Sequence, residues 1–189
     1  MLKNKKIISA TLPLMLSLLA GCASNGGDKI SMHNGEVVFS ENFTGGFEQW
    51  VGKEQTTEIK SIIVNDPLRE NKKAAQSTEK VFGGDYISKQ KFTAGEYILS
   101  FDYLGTCSKD CGGVVGYGEG FPGVKHHWLA GTRSGFPTKL NDKNEWIHYQ
   151  IEFSAAYDFH LIFEQWTDSD GEPGTVLFAD IELQKKSSQ

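Results

Sequence analysis

The chain has 189 residues, of which 12% are aromatic and 23% are charged, and its formal net charge at pH 7 is −5. This length suits one domain with a single core. After residue 21, lysine and arginine form no cluster beyond the pairs Lys72-Lys73 and Lys185-Lys186, so the sequence argues against the basic surface with which proteins bind nucleic acid.

A basic and then apolar segment opens the chain. Lys3, Lys5 and Lys6 precede an apolar run at residues 7–20. This order is typical of a secretory signal peptide, and the run is short for a stable transmembrane span. Removing residues 1–21 takes away three of the 19 basic residues and none of the 24 acidic ones, which leaves a net charge near −8.

The apolar run ends in L-A-G-C at residues 19–22. This motif resembles the lipobox of bacterial lipoproteins, in which diacylglycerol is attached to the cysteine sulfur and the chain is cleaved before it. The resemblance implies that Cys22 is the lipidated N-terminus and anchors the protein to a membrane. Because Ala23 follows it and not Asp, the resemblance further implies the outer membrane of a Gram-negative cell envelope. The alternative is an ordinary secretory signal, with Cys22 a spare thiol.

The mature chain divides into a tether and a domain. Residues 22–36 hold the lipidated cysteine and a polar, glycine-containing segment that is typical of a flexible tether. The folded domain is predicted over residues 37–189.

This domain is predicted to be all-β. Apolar and polar residues alternate in residues 97–103 and 147–153, which is the pattern of half-buried strands. Residues 159–166 and 176–183 continue it, and weaker candidates lie at 58–64, 74–79, 85–92, 113–117 and 125–130. No segment after the signal peptide has helical periodicity, and glycine-rich connections join the strands. These features predict a single β-sandwich of the jelly-roll type.

Two cysteines remain once Cys22 carries lipid. Cys107 and Cys111 are predicted to form a disulfide, because such bonds persist outside the cytoplasm. The closed loop is short, so its stabilisation should be about 2 kcal/mol or less. The alternatives are two free thiols or half a metal site, although a zinc site needs further Cys or His ligands at suitable spacing.

The segment after the cysteines is rich in side chains that bind sugars. Aromatic rings pack against the apolar faces of a sugar, and planar polar groups reach neighbouring hydroxyls. The candidate ligand-binding residues are Tyr117, His126, Trp128, Arg133, Trp166 and Asp168.

Strand alternation assigns one of these side chains a direction. Trp166 should point with Glu164 and Ile162, opposite Leu161 and Phe163. The alternative place for large aromatics is the core, and extensive burial is expected for Trp50, Trp128 and Trp146.

The other motifs do not indicate a metal site or a catalytic site. His126 and His127 are adjacent and would point to opposite faces of a strand, which disfavours a shared metal ion. The acidic segment 168–172 lacks EF-hand spacing and indicates a turn. The paired-acid pattern of jelly-roll glycosidases and the G-x-S-x-G nucleophile turn do not occur, so the sequence favours binding over catalysis.

The two ends of the domain resemble a known family. F-S-E-N-F-T-G-G-F-E-Q-W near the start and V-L-F-A-D-I-E-L near the end are similar to the first and last strands of galactose-binding-like jelly rolls, which include carbohydrate-binding modules. The resemblance spans residues 37–184 and implies this fold. It also implies a structural Ca²⁺ between the first and last strands, with Glu41 and Asp180 as the matching ligands. The alternative is that Asp180 accepts hydrogen bonds from backbone donors at the sandwich edge.

These inferences lead us to expect a lipid-anchored envelope module that binds a glycan without performing chemistry. The first alternative is a structural or assembly lipoprotein that docks onto another envelope protein, which a broad exposed apolar patch would favour. The second is a polysaccharide-active enzyme, which would need an acid pair or a Tyr/His/Arg group converging in one groove.

Overall fold

The structure is a computed structural model that describes residues 35–52, 58–77, 85–107, 111–119, 125–167 and 174–187. Within these ranges the regular elements are all strands, and no helix could cross a membrane. The strands are β1 (Gly35–Glu41), β2 (Trp50–Gly52), β3 (Ile62–Asn65), β4 (Lys73–Ser77), β5 (Tyr86–Ser88), β6 (Gly95–Gly105), β7 (Cys111–Gly118), β8 (His126–Gly131), β9 (Thr138–Lys139), β10 (Ile147–Ala155), β11 (His160–Thr167) and β12 (Val176–Lys186).

The strands form two sheets. The first sheet has the order β10-β6-β12-β4-β3, and β1 also pairs with β12. The second sheet has the order β2-β5-β11-β7-β8-β9. Neighbouring strands are antiparallel, except that β8 and β9 run parallel. The predicted all-β sandwich is therefore confirmed.

The core between the sheets is aromatic. Residues at alternate positions of β6, β11 and β12 bury rings such as Phe101, Phe163 and Phe178, whose centroids lie 5.0 to 6.0 Å apart. Burying each large ring contributes roughly 1.5–3 kcal/mol from the hydrophobic effect. This core lies within the compact unit His33–Gln189, so that unit is expected to fold without the preceding residues.

Most strands match the sequence prediction. The segments predicted from alternation correspond to β6, β10, β11 and β12, and the weaker candidates overlap β3, β4, β5, β7 and β8. The short strands β2 and β9 were not predicted, because two or three residues show no period. Gly35 and Glu36, predicted as the end of the tether, pair with Lys186 and Lys185 in β1.

Each sheet also has an outer face. On the first sheet a small apolar cluster of Ala74, Leu104, Leu177 and Ala179 packs beneath Trp146. On the second sheet the central strands β11, β7 and β8 turn a different set of side chains outward, and these include most of the predicted ligand-binding residues.

Candidate ligand-binding site

Alternation along β11 places Trp166 on the outer face of the second sheet. Leu161 and Phe163 are buried in the core cluster, as predicted, so Ile162 and Trp166 point the other way. Trp166 is half-buried there. The predicted direction of this side chain is therefore confirmed.

The neighbouring strand β7 presents mainly glycine to the same face. Gly112 and Gly116 lie directly opposite Trp166 and Ile162 in the antiparallel register, so their Cα hydrogens point outward with those side chains. A Cβ on Gly116 would lie 2.8 Å from the Trp128 ring and 2.4 Å from the backbone oxygen of His127. Glycine is thus required for Trp128 to pack against β7.

Strand β8 contributes Trp128 and His126. Trp128 pairs with Gly116 after a register shift in β7–β8, and its ring centroid lies 5.4 Å from that of His126. Both side chains are half-buried on the outer face. His127 points to the opposite side, as adjacent residues of a strand do.

Tyr117 lies in the core, which corrects its assignment as a ligand-binding residue. It is 7% exposed and stacks on His127 and Phe153, with ring centroids 4.7 and 5.0 Å away. Burial raises the pKa of Tyr117, and its protonated hydroxyl donates to the Ser154 carbonyl oxygen at 3.3 Å. Tyr117 pairs with Leu161, whose side chain is also internal, so the strand pattern directs both inward.

Arg133 and Trp166 form a stacked pair beside Trp128. The guanidinium carbon of Arg133 lies 4.5 Å from the Trp166 ring centroid, a cation–π geometry that holds an otherwise flexible side chain. The Trp166 indole nitrogen donates to the Thr132 hydroxyl at 2.8 Å. The guanidinium is therefore held beside an aromatic surface, where its planar donors suit vicinal hydroxyl groups.

A depression of about 550 Å³ opens next to this pair. Its lining consists of Trp128, Arg133, Ser134, Gly135, Phe136 and Pro137. Gly135 has φ +97°, so the turn uses a backbone conformation that favours glycine. The combination of two aromatic rings, a guanidinium and a hydroxyl matches the chemistry expected of a sugar site.

The structure brings four of the six candidate ligand-binding residues to one face. They are His126, Trp128, Arg133 and Trp166. Asp168 lies outside the described residues, as does the lipidation candidate Cys22. Thr132 and Phe136 were not predicted from the sequence, in which the turn motif S-G-F-P is the available signal for Phe136.

Two of the three tryptophans expected in the core are only partly buried. Trp50 is 2% exposed, in agreement with that expectation. Trp128 and Trp146 are half-buried on the outer faces of the second and first sheets. Strand alternation and register decide the position of Trp128, and Trp146, which precedes β10, is held by its indole hydrogen bond to Asp66.

The two residues matched to a calcium site have other partners. The Glu41 carboxylate accepts hydrogen bonds from the Phe43 amide at 2.6 Å and the Trp50 indole at 2.9 Å. Asp180 pairs with Lys72 at 2.6 Å and with Arg69 at 3.1 Å. Both carboxylates are thus engaged by protein donors in this arrangement, and the described residues contain no group of three or more His, Cys, Asp or Glu side chains placed to hold a metal ion. Calcium binding stays an untested prediction.

The predicted disulfide is present. Cys107 and Cys111 are bonded, and their Cα atoms lie 5.8 Å apart. The bridge joins the segment after β6 to the first residue of β7, which is the strand that carries the outer-face glycines.

Buried histidine adds no charge to this face at neutral pH. His160 begins β11 opposite Gly118, and its Nδ1 donates to the Ser88 carbonyl oxygen at 2.8 Å. Burial lowers the pKa of His160, so the ring is neutral at pH 7.

Comparisons with known proteins identify the architecture. No family model and no curated protein matches the sequence. Among solved structures, the CBM22-1 xylan-binding domain of Paenibacillus barcinonensis Xyn10C is 13% identical with a TM-score of 0.50, and the alignment covers 82% of this chain and 97% of that one. A family 16 carbohydrate-binding module is 15% identical with a TM-score of 0.51, covering 78% and 99%.

An adhesin has the same architecture. The K2 adhesin domain of Lys-gingipain is 14% identical with a TM-score of 0.52, and the alignment covers 77% of this chain and 98% of that domain. Such low identities support the fold alone. This chain therefore has the jelly-roll fold of the carbohydrate-binding modules.

Proposed function

We propose that this protein is a non-catalytic glycan-binding module of the cell envelope, and that the outer face of the second sheet holds the glycan. The observation that carries the proposal is a depression lined by Trp128, Arg133 and Phe136, in which Arg133 is stacked on Trp166 from β11. Solved structures with the same fold, named as carbohydrate-binding modules, support it.

The chemistry of this face suits a polysaccharide that presents both apolar sugar faces and paired hydroxyl groups. Trp128 and Phe136 offer apolar surface to sugar rings, and the Arg133 guanidinium offers donors to paired hydroxyls. The large exposed apolar residues of the described chain, Val37, Ile62, Leu68 and Tyr157, lie on four separate segments.

The test is a binding measurement on His33–Gln189. A glycan array followed by titration with soluble xylan and xylohexaose should identify a ligand. Trp128→Ala should weaken its binding about tenfold or more, equivalent to ~1.4 kcal/mol, because a stacking surface is lost.

Trp146→Ala is the matched control, because Trp146 is also half-buried but lies on the outer face of the first sheet. It should leave the affinity within about twofold. Loss of binding in the control, with Trp128→Ala unaffected, would move the site to the first sheet. If the folded parent protein binds no glycan, the proposal is wrong and protein docking becomes the favoured function.

The envelope location rests on Cys22. The lipobox-like motif at residues 19–22 supports lipid attachment, and the outer membrane is the destination that Ala23 implies. Metabolic labelling with a palmitate analogue should mark the parent and leave Cys22→Ser unlabelled. Equal labelling of both proteins would contradict the anchor.

A further inference from the structure

A chain of hydrogen bonds connects the outer-face indole to the backbone beside the disulfide. The Trp166 indole nitrogen donates to the Thr132 hydroxyl oxygen at 2.8 Å, and that hydroxyl donates to the Cys111 carbonyl oxygen at 3.0 Å. An indole has a single donor, so this bond restricts the side-chain torsions that orient the ring. A hydroxyl can accept and donate together, and Thr132 does both.

Thr132 is itself held in place. The Thr132 amide donates to the Gly113 carbonyl oxygen at 3.2 Å, and the Thr132 carbonyl oxygen accepts a hydrogen bond from the Lys139 ammonium group. A Cβ on Gly112 would lie 2.2 Å from the Thr132 hydroxyl oxygen, and Gly112 has φ +135°. Only glycine there lets the threonine reach the Cys111 carbonyl.

The disulfide fixes the other end of this chain. Cys107 is packed so tightly against the segment before β12 that a Cβ on Gly174 would lie 2.7 Å from its Cα. The adjacent Thr106 amide donates to the Thr175 carbonyl oxygen at 3.0 Å. The Cys107–Cys111 bond transfers this fixed position to the start of β7, where the Cys111 carbonyl receives the Thr132 hydroxyl.

We infer that Thr132 is a positioning residue for the ligand-binding site, and that it couples the Cys107–Cys111 disulfide to the orientation of Trp166 and the stacked Arg133. The inference rests on the proposed function to the extent that these two side chains hold the glycan. Thr132 also precedes Arg133 in the chain, so its hydroxyl bond and the cation–π contact orient one another.

The first readout needs no ligand. In ¹⁵N–¹H spectra of His33–Gln189, Thr132→Val removes the hydroxyl at nearly constant shape, and the Trp166 indole resonance should move upfield and exchange faster with water. Thr132→Ser should restore it. The indoles of Trp50 and Trp146, which donate to Glu41 and Asp66, are internal controls and should not move. Trp166→Phe assigns the resonance.

The second readout is affinity for xylohexaose, or for the glycan that the array identifies. Thr132→Val should raise Kd about three- to tenfold, the range expected for one net hydrogen bond, and Thr132→Ser should stay within twofold. The double variant Cys107→Ser/Cys111→Ser should shift the Trp166 indole in the same direction as Thr132→Val.

The outcomes separate the two proposals. If the Trp166 indole resonance does not move in Thr132→Val, the positioning role is overturned, whatever the affinity of the variant for glycan. If the indole resonance moves in Thr132→Val but the variant binds glycan as tightly as the parent does, the coupling to binding is overturned. If the parent binds no glycan, the proposed function fails, and the spectra alone decide whether Thr132 and the disulfide position Trp166. If the cysteine substitutions leave the Trp166 indole resonance unchanged, the disulfide does not position Trp166.

Discussion

Single residues on β7 decide which side chains can occupy the outer face of the second sheet. Gly112 admits the Thr132 hydroxyl and Gly116 admits the Trp128 ring, since a Cβ at either position would overlap its neighbour. In this strand glycine serves close approach more than chain flexibility.

Gly116→Ala is therefore expected to damage both stability and binding. The added Cβ meets the backbone oxygen of His127 at 2.4 Å, so β7 and β8 must separate locally and Trp128 must move. We expect a loss of about 1–3 kcal/mol in the free energy of unfolding, or a few degrees in Tm, with weaker glycan binding.

Gly45→Ala is the control for this substitution. A Cβ there would lie 3.4 Å from the Glu48 carboxylate, an ordinary contact, so Tm should change little. Equal thermal denaturation of Gly116→Ala and the parent would contradict the packing of Trp128 on β7.

The sequence correctly predicted the direction of the Trp166 side chain, but it wrongly assigned Tyr117 to the ligand-binding site. In the strand of Trp166, the apolar residues Leu161 and Phe163 show which positions face the core. Around Tyr117 the sequence G-G-V-V-G-Y-G contains no polar residue, and every residue of β7 is buried, so no alternation shows which way a side chain points. Which side chains of β7 face the core follows only from the pairing of β7 with β11.

Among the connecting elements, the loop between β3 and β4 is organised around the carboxylate of Asp66. Asp66 accepts the amides of Leu68 and Arg69, both at 2.9 Å, and the Trp146 indole at 2.8 Å. Arg69 then pairs with Asp102 and with Asp180, and its guanidinium carbon lies 4.3 Å from the Trp146 ring centroid. These contacts cover the small apolar cluster of the first sheet.

This loop should make stability depend on pH. Burial raises the pKa of Asp66, but the hydrogen bonds from Leu68, Arg69 and Trp146 outweigh burial, so the pKa lies below its ordinary value. A carboxylate with a lowered pKa stabilises the fold above about pH 4, its unfolded pKa, and loses that contribution as the pH falls through the folded pKa.

Asp66→Asn should therefore cost about 1–3 kcal/mol in urea unfolding at pH 7, and the difference from the parent should shrink below about pH 4. Asp142, whose pKa is raised by burial, and His160 titrate in both proteins and cancel in this difference. Asp158→Asn, at an exposed carboxylate, is the matched control and should cost less than about 0.5 kcal/mol. A difference that is constant between pH 7 and pH 3 would contradict the linkage.

Element prediction from sequence succeeded where strands are long. Strands β6, β10, β11 and β12 have 8 to 11 residues, enough for alternation to be read. Strand β9 has two residues and is defined by its parallel pairing with β8. The register shift in β7–β8, which brings Trp128 opposite Gly116, depends on tertiary pairing and leaves no local signal.

At the scale of the whole molecule, strand order assembles the site. Trp166 on β11 and Trp128 on β8 are separated by β7 in the second sheet but by many residues in the chain. The sequence predicted the sandwich because alternation and glycine-rich turns determine the class of fold. It could nominate the aromatic residues, but only the order β11-β7-β8 shows which of them share a face.

The most direct test of the account is a map of the glycan on the protein. ¹⁵N-labelled His33–Gln189 would be titrated with xylohexaose, or with the best ligand of the array, and the shifted resonances assigned. We expect the shift changes to concentrate on β7, β8 and residues 132–137 together with the indoles of Trp128 and Trp166, while the Trp146 resonances stay constant. Shifts centred on Trp146 and the first sheet, with the second sheet unchanged, would contradict it.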